Sequence, residues 1–117
     1  MRRLLAATAL SLLMASPGLA RENWAILIGA SQYDNLDEKF WLKGPSNDME
    51  LVYGYLTANP VMEFSPGNII LLADNAPGHG RATLQAIRDA FAEIAAKAQP
   101  GDFVYLHFAG HGTQAPA

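Results

Sequence analysis

Three short, uninterrupted apolar runs constrain this chain more than any other feature. They are WAILIG at residues 24–29, NIILLAD at 68–74 and DFVYLHFAG at 102–110. Continuous apolar runs of this length, bounded by glycine or aspartate, are typical of strands that are buried on both faces. The sequence therefore predicts three buried strands.

The first gap between these runs contains a segment with helical periodicity, SNDMELVYGYLTANP at 46–60. Ser46 or Asn47 can cap the N-terminus of this helix, and Pro60 ends it. Its predicted apolar face consists of Met49, Val52 and Leu56.

The second gap contains a stronger helical pattern, RATLQAIRDAFAEIAAKAQPGD at 81–102. Thr83 is the predicted N-cap, and the pair Pro100 and Gly101 stops the helix. The predicted apolar face consists of Leu84, Ile87, Phe91, Ile94 and Ala98.

The order strand, helix, strand, helix, strand predicts an α/β fold with a parallel sheet and right-handed crossovers. Three strands and two helices make half of a doubly wound domain. The third strand is expected to leave one edge without a partner, so the fold should be marginal when expressed alone.

The first twenty residues have the pattern of a secretory signal peptide. Arg2 and Arg3 precede an apolar run, and small residues stand near Ala20, after which we expect the cut. An N-terminal membrane anchor is the alternative, but the run is shorter than the ~20 residues that a span needs. The expected mature chain begins at Arg21, is exported to the periplasm or secreted, and has no stable membrane anchor.

Charge and cysteine content exclude several classes of function. The expected mature chain has formal charge −5, because the segment removed holds two of the eight basic residues and none of the eleven acidic ones. An acidic chain without basic clusters argues against nucleic acid as a partner. With no cysteine, these 117 residues contain neither a disulfide nor a thiol nucleophile.

Chemistry is expected at the carboxyl ends of the strands, where ligands gather in parallel sheets. Gly110-His111-Gly112 follows the third strand directly. An imidazole that moves protons beside a bare backbone N–H that stabilises an oxyanion suits acyl transfer. The tripeptide by itself fits a structural turn equally well.

Other histidines and acids have simpler interpretations. His107 lies four residues before His111, about 13 Å away along a strand, so the two cannot share a metal ion. His107 is predicted to be packed or hydrogen-bonded in the sheet, and no metal site is predicted. A second Gly-His-Gly, residues 78–80, fits a flexible loop better than a phosphate-binding turn. Asp48 can act simply as an acidic residue in the first turn of its helix.

Four stretches, taken in order, resemble the N-terminal part of a caspase-fold peptidase of the metacaspase-like, bacterial type. They are WAILIGASQY at 24–33, LKGPSND at 42–48, NIILLADNA at 68–76 and FVYLHFAGHGTQ at 103–114. The resemblance implies that residues 21–117 are the N-terminal part of a peptidase domain. It also implies a three-layer caspase-like fold with a mainly parallel sheet, present here in part.

The resemblance further implies a cysteine endopeptidase that acts on peptide or protein substrates. In that family His111 would be the dyad histidine, and Gly112 would supply an oxyanion N–H. Asp48 would line the pocket for the residue before the cut, which implies cleavage after Arg or Lys. Pro45 stands where the family often has a cysteine.

The family's nucleophile lies in a D-x-C-[HY]-[SA]-G pattern on a following strand, and these 117 residues contain no such pattern. The resemblance thus implies a fragment that is inactive alone. No cofactor is evident, and calcium is left open for the complete protein. Two alternatives remain: a non-catalytic caspase-like module that binds partners, and an unrelated flavodoxin-like ligand-binding domain.

Overall fold

A computed structural model describes residues 20–113 of the chain. Its elements are β1 (Asn23–Gly29), α1 (Gly44–Ala58), β2 (Ile69–Ala73), α2 (Leu84–Lys97) and β3 (Phe103–Ala109), with short 3-10 helices at Glu38–Phe40 and Pro66–Asn68. The expected signal peptide lies outside the described residues except for Ala20. Neither helix in residues 20–113 is long and apolar enough to cross a membrane.

The three strands form one parallel sheet in the order β2-β1-β3. This confirms the predicted α/β class and the β-α-β-α-β order. Gly29 at the end of β1 is level with Ala73 on one side and Ala109 on the other. The loops that follow the three strands therefore emerge together at one edge of the sheet.

β1 lies at the centre of the sheet and is buried on both faces. Ala25 and Leu27 point towards α1, while Ile26 and Ile28 point towards α2. From α1, Met49 and Leu56 fill the first layer, with Val52 packed beside them, which confirms the predicted face of that helix. The continuous apolar run of β1 therefore packs against both helices, one on each face of the sheet.

β3 differs from the prediction, because none of its residues is buried. Val104, Leu106 and Phe108 are 39%, 44% and 59% exposed on the α2 side of the sheet. In the part of the chain that the structure describes, β3 pairs with β1 alone, which agrees with the expected unpaired edge. An edge strand is packed against fewer neighbours than a central strand, so its apolar side chains remain accessible.

The start of α1 is also different from the prediction. The helix begins at Gly44, and neither Ser46 nor Asn47 is its cap; Lys43 holds that position without a side-chain hydrogen bond. The first turn contains no acidic residue, so the interpretation of Asp48 as a first-turn acid is wrong. The helix ends at Ala58, two residues before Pro60, as the sequence indicates.

Thr83 caps α2 as predicted, with its side chain accepting a hydrogen bond from the Ala86 N–H. The predicted apolar face is only partly right. Ile94 is buried, but Leu84 is 65% and Phe91 is 41% exposed, and the small Ala90 is buried instead. The helix packs against β1 and β2, so the side chains that turn towards β3 stay accessible.

Candidate active site

His111 stands at the carboxyl edge of the sheet, two residues after β3, and two groups of the β1–α1 loop hold it. Its Nε2 lies 2.7 Å from the backbone oxygen of Phe40. Its backbone N–H donates to the Tyr33 hydroxyl at 2.7 Å. The side chain and the backbone of His111 are thus bound by the same loop, 71 and 78 residues earlier in the sequence.

The Phe40 contact assigns the tautomer of His111. A carbonyl oxygen only accepts hydrogen bonds, so Nε2 must carry the proton in this geometry. In the neutral imidazole the lone pair is then on Nδ1. His111 therefore has a nitrogen that can take up a proton from a neighbouring group.

The two glycines beside His111 have different roles. A Cβ on Gly110 would lie 2.8 Å from the Tyr33 hydroxyl, closer than real Cβ contacts come, and 3.2 Å from Ala30 atoms, which is a tight contact. A Cβ on Gly112 would meet nothing within 4 Å. Gly110 lets the chain approach Tyr33, and Gly112 faces open space where a substrate could come close.

The β1–α1 loop folds back on itself to present the Phe40 oxygen. The Trp41 indole N–H donates to the Tyr33 oxygen at 3.0 Å, and the Leu42 N–H donates to the Ser31 oxygen at 2.9 Å. An open cleft of about 410 Å³ lies between this loop and the Gly-His-Gly turn. Its lining consists of Tyr33, Leu36, Phe40, His111, Gly112 and Thr113.

Asp74, at the end of β2, is a site residue that the sequence reasoning missed. Its side chain is 1% exposed. One carboxylate oxygen accepts from the N–H groups of Ser31 and Gln32 at 2.9 and 3.0 Å, and the other accepts from the Ala82 N–H at 3.1 Å. The signal that could have found it is a carboxylate at the end of a buried run.

The charge of Asp74 is stabilised where it lies. Burial acts to raise the pKa of the carboxyl, but the three backbone donors and the Arg81 guanidinium outweigh burial, and the pKa of Asp74 is lowered. Arg81 Nε is 3.5 Å from this carboxylate. Asp74 thus joins the loop that holds His111 to the segment before α2.

Arg81 makes a second link between these loops. Its two terminal nitrogens lie 2.9 and 3.1 Å from the two carboxylate oxygens of Asp34. Hydrogen bonding to Arg81 lowers the pKa of Asp34. Asp34 directly follows Tyr33, so the bidentate pair anchors the loop next to the residue that contacts His111.

Asp48 is exposed in the second turn of α1, and the structure does not bring it to the cleft beside His111. A smaller cavity of about 210 Å³ lies between the start of α1 and the end of β2, and Asp48 is not among its lining residues. Its lining consists of Ser31, Leu42, Lys43, Ser46, Asn47, Asp74 and Asn75. Ser46 is buried there and donates to the Asp74 backbone oxygen. Pro45 is buried against Gly29.

The remaining histidines have structural surroundings. His107 Nδ1 lies 2.9 Å from the Tyr105 hydroxyl within β3, which agrees with the predicted packed role. His79 lies in the β2–α2 loop with Nε2 3.3 Å from a Glu50 carboxylate oxygen. Gly78 before it has φ of 80°, a turn conformation that fits the predicted loop.

Comparison with known proteins gives a consistent result. A family model described as the metacaspase, peptidase C14 domain matches residues 23–117. Metacaspase-4 of Arabidopsis thaliana is 34% identical over 93 residues, which cover 80% of this chain and 21% of that protein. Metacaspase-1 of Candida albicans is 35% identical over 91 residues, which cover 77% of this chain and 19% of that protein.

A parallel α/β sheet with a histidine at its carboxyl edge, together with these matches, defines a partial caspase-like fold. The chain belongs to the metacaspase family. This finding excludes the flavodoxin-like alternative. The chain spans about a fifth of the length of the curated relatives it matches, 21% and 19% for the two named.

Proposed function

We propose that this chain supplies the histidine half of a cysteine-endopeptidase site. The observation that carries the proposal is the hydrogen bond between His111 Nε2 and the Phe40 oxygen, at 2.7 Å. This bond leaves Nδ1 as the proton acceptor of a side chain that lines an open cleft. Membership of a peptidase family supports the same conclusion.

The proposed mechanism needs a cysteine from outside these 117 residues, which contain none. His111 Nδ1 takes the thiol proton, and the thiolate attacks the substrate carbonyl carbon. The Gly112 N–H stabilises the negative charge that develops on the carbonyl oxygen. The imidazolium then gives its proton to the leaving amine as the peptide C–N bond breaks, and water hydrolyses the thioester.

The decisive experiment uses the protein extended to include its cysteine-bearing strand, assayed on peptides. His111→Ala should reduce kcat/KM about a thousandfold or more, because the nucleophile loses its base. His79→Ala is the matched control, since His79 lies in the other Gly-His-Gly at the same sheet edge. Retained activity in His111→Ala, or an equal loss in both variants, would contradict the proposal.

Substrate preference for Arg or Lys is a finer proposal, carried by the exposed carboxylate of Asp48 near the start of α1. In a substrate-filled site it could form a charge-assisted hydrogen bond with a basic side chain. Asp48→Asn should then lower kcat/KM for basic peptides about tenfold and leave neutral peptides unchanged. Glu50→Gln, two residues further along α1, is the control. An equal loss on all peptides would show that Asp48 does not select the substrate.

A non-catalytic interaction module is the second candidate, and the exposed apolar face of β3 favours it. The same assay separates the two, because a binding module shows no turnover with or without His111.

Export with cleavage after Ala20 is a further proposal, and the calcium dependence of the complete protein is left open. The first is tested by mass spectrometry of the N-terminus, and the second by assay with and without a chelator.

A further inference from the structure

We propose that Tyr33 is a positioning residue that holds His111 in its base-competent orientation. This inference rests on the proposed role of His111 and assigns a function to a residue outside the Gly-His-Gly turn. Tyr33 lies in the β1–α1 loop, four residues after the end of β1. It contacts His111 through its hydroxyl and through its ring.

The Tyr33 hydroxyl connects two backbone segments. It accepts a hydrogen bond from the His111 N–H at 2.7 Å and donates its own proton to the Ala30 oxygen at 3.1 Å. One hydroxyl can do both, because it has a single proton and two lone pairs. The hydroxyl therefore fixes the backbone of His111 relative to the end of β1.

The Tyr33 ring restricts the imidazole from one side. The two ring centroids are 5.0 Å apart, and the planes are tilted by 48°. The Phe40 oxygen holds Nε2 from a second direction, and the Trp41 indole binds the Tyr33 backbone oxygen. The imidazole is thus held between a ring and a carbonyl that belong to one folded loop.

The same hydroxyl explains why glycine precedes His111. A side chain at residue 110 would collide with it, since the added Cβ would lie 2.8 Å from the hydroxyl oxygen. The space that Gly110 leaves empty is occupied by Tyr33. Without the hydroxyl, the backbone at residue 111 loses its acceptor, and Nε2 is no longer aimed at Phe40.

The tautomer of His111 tests this proposal directly in the 117-residue chain. With nitrogen-labelled histidine, NMR above the titration range should show a protonated Nε2 and a lone-pair Nδ1 in wild type. Tyr33→Phe keeps the ring but removes the hydroxyl, and His111 should then shift towards a mixture of both tautomers. The signals of His79 and His107 should stay unchanged and act as internal controls.

Tyr55→Phe is the matched control, because Tyr55 is 60% exposed on α1. It should leave all three histidine signals as in wild type. An unchanged His111 tautomer in Tyr33→Phe would overturn the proposal. Loss of all three native signals in Tyr33→Phe would also overturn it, because Tyr33 would then support the whole fold rather than the imidazole.

A kinetic measurement in the protein that includes its cysteine gives a second criterion. Tyr33→Phe should lower kcat about tenfold to a hundredfold with KM unchanged, since the wall of the cleft remains and only orientation is lost. A rise in KM at constant kcat would overturn the positioning role. The NMR result does not depend on turnover, so the two proposals can fail separately. Cleavage that persists without His111 would contradict the proposed peptidase mechanism, whereas the tautomer measurement would still report on the role of Tyr33.

Discussion

The chain contains Gly-His-Gly twice, at residues 78–80 and 110–112, and both copies lie at the carboxyl edge of the sheet. In the first copy, His79 Nε2 faces the Glu50 carboxylate at 3.3 Å, and its ring lies 6.4 Å from that of Tyr53. In the second, Nε2 faces a backbone oxygen, and the ring lies against Tyr33.

The difference lies in the acceptor that each imidazole meets. A backbone oxygen fixes the tautomer of His111 without adding a charge, and the lone pair is left on Nδ1 of a side chain that lines an open cleft. The contact of His79 with Glu50 is an ion pair only when the imidazole is protonated. The same three residues therefore hold one imidazole against a neutral backbone oxygen and the other against a carboxylate.

The glycines differ in a parallel way. Gly78 has a positive φ of 80° and shapes a turn. Gly110 has no such conformation and is required by the closeness of Tyr33. Glycine precedes histidine for a different physical reason in each copy of the tripeptide, and only the surrounding residues show which reason applies.

Asp74 lies between the two loops, and its replacement should have the largest effect on stability. Asp74→Asn replaces one acceptor oxygen with a donor and leaves a buried N–H group unpaired, so the free energy of unfolding should fall by about 2–3 kcal/mol. Urea unfolding of wild type and variant measures this change in free energy. Asp89→Asn on the exposed side of α2 is the control and should change stability by about 0.5 kcal/mol or less. Equal effects would show that Asp74 does not join the loops.

The loss in Asp74→Asn should depend on pH. Because the folded state lowers the pKa of Asp74 from its ordinary value of 3.8, the ionised carboxylate stabilises the fold above that pH. The stabilisation disappears as the pH falls through the lower folded value. The difference between wild type and variant should therefore shrink in acid, and a difference that grew in acid would contradict the assignment.

Alanine at one glycine of each Gly-His-Gly should separate the two loops. Gly110→Ala places a Cβ 2.8 Å from the Tyr33 hydroxyl and should lower the free energy of unfolding by about 1–3 kcal/mol. In Gly80→Ala, which alters the glycine after His79, the nearest atom is a flexible Leu72 methyl at 3.4 Å, so about 0.5 kcal/mol or less is expected. Thermal unfolding compares the two variants, and similar losses of stability would show that the two glycines do not differ in this way.

The smallest effect is expected at Glu50. Glu50→Gln removes the carboxylate that faces His79, whose side chain is 27% exposed, and should change stability by about 0.5 kcal/mol or less. The NMR signals of His111 should not move. A shift there would mean that the two loops are coupled.

The elements of the fold could be predicted because their signals are local. Continuous apolar runs predict β1 and β2, and helical spacing of apolar residues predicts both helices. Thr83 marks a helix start through its side-chain oxygen, and Pro60 marks a helix end through its missing N–H. Burial of β3 could not be predicted in the same way. β1 and β3 are both seven-residue strands, yet within residues 20–113 β1 has a strand on either side and β3 has one on a single side.

The sequence by itself determined the parallel α/β topology, the family resemblance and the position of His111 after the third strand. Only the tertiary structure decided which groups surround that histidine. The bonds of Asp74 to Ser31, of His111 to Phe40 and of His111 to Tyr33 join residues 43, 71 and 78 positions apart. No periodicity encodes such pairs, because a backbone oxygen is present at every residue and becomes specific only when a loop folds against its partner.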